Sequence, residues 1–273
     1  MQAEIQETLD SVLGVWIRLV SDPSFLASPW IPSLVTEIVE AYIKSKLGVP
    51  EGWRTHCNEQ EVHLSIADGS DLDVYSDQLL AVASMVHCDP QPALFFLVTM
   101  FNPKVLHLAQ YCSMVQSGAS CREVAISELY EDIHWLVLFS GHVLASVCEG
   151  ESPLIPQPLM KLSISTKSQN YSSEDILKFI KFEVPGFLDD ATSYCHLMST
   201  LDPVVTLVVR VLQVSHLFAM MSATGLAELC SPQVAEILAW FHIHWTRTYL
   251  NMKEDDYEQV RMYLAIPAFI LFL

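Results

Sequence analysis

Three groups of residues have the types and spacing that could support chemistry. Asp68-Gly-Ser-Asp-Leu-Asp73 gathers three carboxylates within six residues, a density that suggests calcium. An EF-hand loop, however, alternates its oxygen ligands, turns on a central Gly and ends on a bidentate Glu. Here Gly69 stands second and the stretch closes on Asp77, so an acidic surface segment explains it better. His242-x-His244 would set two imidazoles about 200° apart around a helix, whereas zinc-binding helices use an i, i+4 pair. His134 and His142 lie eight apart on one helical face, each inside an apolar run, and read as packed side chains. No metal site is expected.

Covalent catalysis finds no better footing. The chain has no G-x-S-x-G, no recognisable local signature around a cysteine, no G-x-G-x-x-G and no G-x-x-x-x-G-K-[ST]. We therefore expect no catalytic residue and no cofactor. A hydrolase would need folding alone to bring a Ser or Cys beside a His and an acid. Trp240, Phe241, Trp245 and Tyr249 make one segment rich in aromatic rings. Lacking surrounding basic residues, it reads as inter-helix packing and not as a base-stacking platform.

Negative charge is abundant. Thirty-two Asp and Glu face fourteen Lys and Arg, a net charge of −18 over 273 residues. Such a chain repels phosphate backbones, so nucleic acid is an unsuitable partner and a basic protein surface a suitable one. The charge is also uneven. No Lys or Arg occurs between Thr55 and Pro103, where Glu59, Glu61, Asp68, Asp71, Asp73, Asp77 and Asp89 fall. A second basic-free window, 123–160, holds Glu123, Glu128, Glu131, Asp132, Glu149 and Glu151. Glu59, Glu61, Asp68, Asp71, Asp73 and Asp77 are the candidate partner-binding residues. The simpler role for them is to keep an apolar protein soluble.

The elements that must position these residues are helical. Half the chain (51%) is hydrophobic, only 17% is charged and mean hydropathy is +0.32, which excludes a disordered chain. From Leu129, apolar residues recur at Ile133, Leu136, Val137, Val143 and Leu144, the 3–4 spacing of a helix. Asp202-Pro203 and Ser231-Pro232 each place a capping side chain before a proline in the first turn. The pattern predicts helices near 2–21, 32–47, 73–88, 91–117, 122–149, 173–182, 203–227, 231–251 and 254–266. Residues 55–77 lack a helical stripe and read as an acidic loop. Residues 150–172, rich in Pro, Ser and Thr, read as a connection.

The longest apolar stretch, 204–226, contains Arg210, Gln213 and His216. A central arginine disfavours a membrane span by roughly 2.5–3.5 kcal/mol. Residues 262–273 are too short to span and contain Pro267. Buried helices without a membrane are the expectation. The polar, acidic start of the chain does not read as a secretory signal. Seven cysteines without paired spacing read as reduced, mostly buried thiols of a cytosolic or nuclear protein. Many helices are apolar on more than one side, and pairs recur at close to the ~40–47 residues of HEAT or armadillo units. The expected fold is all-α: an α-solenoid of HEAT/armadillo-like antiparallel helix pairs in a right-handed superhelix, one run over 1–273.

Two blocks carry a specific resemblance. One is Leu129-Tyr-Glu-Asp-Ile-His-Trp-Leu-Val-Leu138 with Gly150-Glu-Ser-Pro-Leu-Ile-Pro156. The other is Leu229-Cys-Ser-Pro-Gln-Val234 with Trp240-Phe241, Trp245 and Thr248-Tyr-Leu250. Both resemble the exportins of the importin-β (karyopherin) superfamily, and weaker similarity extends to Trp16–Val20, Ala41–Ile43, Pro50–Gly52 and Tyr75–Leu79. The resemblance implies a nuclear export receptor that binds protein cargo together with Ran-GTP, touches nuclear pore proteins and shuttles between nucleus and cytoplasm. It also implies that this chain covers an interior part of such a receptor, departing from the family after about Phe269. The alternative is a HEAT/armadillo scaffold that assembles complexes without shuttling.

Overall fold

The computed structural model describes residues 2–54, 71–118, 123–145, 154–166, 173–183 and 202–250. These are helical, with no strand among them and one isolated bridge between Gly48 and Arg54. The helices are α1 (Gln2–Val20), α2 (Pro23–Leu26), α3 (Ile31–Lys46), α4 (Asp71–Val74), α5 (Ser76–Val86) and α6 (Pro90–Gln116). They continue as α7 (Glu123–Leu144), α8 (Gln157–Ser165), α9 (Ser173–Ile180), α10 (Pro203–Ala223) and α11 (Pro232–Tyr249). The chain divides into two compact units, Met1–Ala93 and Leu94–Leu273.

Helix ends follow the capping chemistry. Asp202 Oδ1 accepts from Val204 N at 2.9 Å, and Ser231 Oγ accepts from Val234 N at 3.4 Å. Asp22 caps α2 in the same way, with Pro23 in its first turn. Two expectations need correction. The acidic loop expected over 55–77 is helical at its C-terminal end, because Asp71–Val74 forms one helical turn and α5 begins at Ser76, while 55–70 lies outside the described residues. Acids in a first turn suit the positive end of a helix dipole, so charge there did not preclude helix. The connection 150–172 contains α8, which buries Leu159 and packs on α10. Nine residues, with Pro156 before them and Pro158 in the first turn, gave too short a stripe to register. The predicted helix 254–266 lies outside the described residues.

In the first unit α5 packs against α1 and α3, and α2 bridges α1 and α3. Ile31, Val35, Val39 and Ile43 make the inner stripe of α3 and meet Leu79, Val82 and Val86 in the core. In the second unit α10 packs against α7, α8, α9 and α11, and α7 packs most extensively on α11. Every residue of α7 from Asp132 to Leu144 is buried, as is Ala145 after it. The stripe at Ile133, Leu136 and Val137 is therefore only part of its contact surface. Trp135, Leu138 and Phe139 fill the other sides.

Among the described residues α6 and α10 are long and apolar enough to cross a membrane. Two thirds of the most apolar window of α10 lies inside the unit, and Arg210 within it is fully buried and hydrogen-bonded.

Candidate functional site

Of the six candidate acids, Glu59, Glu61 and Asp68 lie outside the described residues. Asp71 and Asp73 share the single turn of α4, and Asp77 stands in the first turn of α5. Asp73 and Asp77 are exposed and Asp71 is half-buried. Tyr75 N donates to Asp71 O, and Ser76 Oγ donates to Asp73 O, so the backbone of the two turns is tied together. The three carboxylates thus occupy helix starts, where they also stabilise the fold.

Two acids of the second window, Glu131 and Asp132, are engaged internally. Asp132 pairs with Lys104 at 2.9 Å, their side chains only 3% and 8% exposed. Glu131 Oε1 accepts from the Trp135 indole at 2.9 Å. Asp132 thus offers no open charge to a partner.

The histidines serve the packing of α7, α10 and α11. The His142 ring lies 5.1 Å from Trp240, centroid to centroid, and His244 lies 4.6 Å from the same indole. Gly141 makes this possible, because a Cβ there would sit 2.2 Å from Trp240 Cζ3. Burial, with a smaller contribution from His244, pushes His142 down to about 4. His244 Nδ1 donates to Trp240 O at 2.9 Å. His242 Nε2 meets Ser215 Oγ at 2.8 Å, and burial lowers its pKa. The two histidines of the H-x-H pair therefore face different partners.

A Ser–His contact raises the hydrolase reading again. The Ser215 hydroxyl, however, donates to Val211 O at 3.1 Å, which leaves His242 Nε2 as the donor to Oγ. A general base needs the opposite arrangement, with an acid orienting its other nitrogen. Among the described residues no carboxylate is hydrogen-bonded to His242. The contact ties α10 to α11.

The aromatic segment of α11 also faces inward. Phe241 and Trp245 are buried and stack at 6.4 Å, and Trp245 stacks on Tyr249 at 6.0 Å. Two tyrosines join α7 to α11 and to the turn that precedes it. Tyr130 donates to Leu229 O at 2.8 Å, and Tyr249 donates to Leu144 O at 3.0 Å. The early part of α7 thus meets the segment before α11, and the two C-terminal ends meet each other. The two helices run in the same direction. Ser215 in α10 opposite His242 in α11, across the short connection at 224–231, makes that pair antiparallel.

Sequence reasoning overlooked the polar chain of the first unit. Tyr42 donates to Gln78 Oε1 at 2.6 Å, and Gln78 Nε2 donates to Asp10 Oδ1 at 2.5 Å. Burial, then Tyr75 and Asp10, raise the Tyr42 pKa. Gln78 sits in the first turn of an apolar helix, where one buried polar residue carries no sequence signal.

The class defined by these observations is an all-helical protein whose second unit sets like-directed helices side by side. No family model matches the chain.

Proposed function

We propose that the chain is a segment of an α-solenoid nuclear export receptor of the exportin-4 kind. In this reading it binds protein cargo together with Ran-GTP, engages pore proteins and passes between nucleus and cytoplasm. It is a carrier and not an enzyme. The observation that carries the reading is where the two resembling blocks meet. Leu129–Leu138 lies on α7, and the block from Leu229 to Leu250 encompasses α11. These helices are parallel neighbours, α7 being linked by Tyr130 to the turn before α11 and by Leu144 O to Tyr249 at its end, with α10 packed on both. Stacked helix pairs place corresponding helices of successive pairs side by side in the same direction, which is the arrangement a HEAT solenoid requires. The −18 charge suits basic cargo surfaces and Ran.

The test is the affinity of the receptor containing this segment for Ran loaded with GTP or GDP, in the presence of a basic cargo. A preference for the GTP form of at least tenfold supports the carrier reading. Equal affinity, or none for either form, leaves the non-shuttling helical scaffold as the better account.

A further inference from the structure

We draw no further inference here: the strongest candidate, the exposed apolar patch of Val49 and Trp53 on the loop that follows α3, carries nothing because nothing in the structure shows what covers it.

Discussion

The two units treat buried polar groups differently. In the first, the chain from Tyr42 through Gln78 ends on Asp10, which is exposed. Water can therefore repair a broken link at its outer end. In the second, Lys104 and Asp132 form a closed pair away from solvent, and Arg210 bonds Gln213, which bonds Phe179 O at 2.7 Å. A group orphaned there has no water to turn to. The same kind of contact should cost more to break in the second unit, since desolvation without repair dominates.

Lys104→Met is the strongest test. It should destabilise the protein by about 3–5 kcal/mol in urea unfolding, because Asp132 is left as a buried charge. Adding Asp132→Leu should recover most of the loss. A single variant as mild as a surface change would erase the contrast between the units.

Acid should come next. His142 titrates at about 4 in the fold against an ordinary 6.5, so it stays neutral when folded and takes up its proton more readily when unfolded. Stability is therefore retained above 6.5 and is lost as pH falls toward 4. The full loss is about 3 kcal/mol at 1.4 kcal/mol per pH unit. His142→Phe should flatten this profile. A residual slope of the same sign should remain from His216 and His242, both lowered by burial. A profile unchanged in H142F would show that His142 is not buried neutral.

Tyr42→Phe should cost only about 1 kcal/mol, since Gln78 keeps its bond to Asp10 at the solvent edge. A loss as large as that of K104M would mean that the first unit is as closed as the second.

The smallest effect on stability belongs to the acids. Replacing Glu59, Glu61, Asp68, Asp71, Asp73 and Asp77 by Gln or Asn should leave the fold intact. On the carrier proposal, stopped-flow association of the receptor containing this segment with Ran-GTP and basic cargo should slow several-fold at low salt and converge with the parent at high salt. An unchanged rate would reduce these residues to a solubility device.

Much of the helical layout was legible before the structure. Asp202-Pro203 and Ser231-Pro232 announced α10 and α11 because a cap and a first-turn proline act locally. The long apolar runs of α6, α7 and α10 were equally plain. The short helices were not. Pro23–Leu26 is one turn, α4 is built from residues that read as loop, and α8 lies in a Pro-rich stretch. Such helices exist because neighbours bury one or two side chains, as α10 does for Leu159, and that contribution has no local signature.

The candidate site was less legible than the fold. Composition alone placed Asp132 in a basic-free acidic window, yet folding set it beside Lys104, 28 positions earlier in the chain. The sequence could say that Trp53 follows Gly52, but not that Gly52 is wedged against Leu47 so that Trp53 faces outward.

By itself, then, the sequence determined the helical class, most helix boundaries, the negative charge and the inward role of the α11 aromatics. These depend on periodicity, caps and composition, which act over a few residues. Only the tertiary structure decided which charges are spent internally, that α7 is buried on every side from Asp132 onward, and that α7 and α11 run in parallel. Those outcomes depend on contacts between residues up to 105 positions apart, as in the Tyr249 bond to Leu144, and no short-range pattern encodes them.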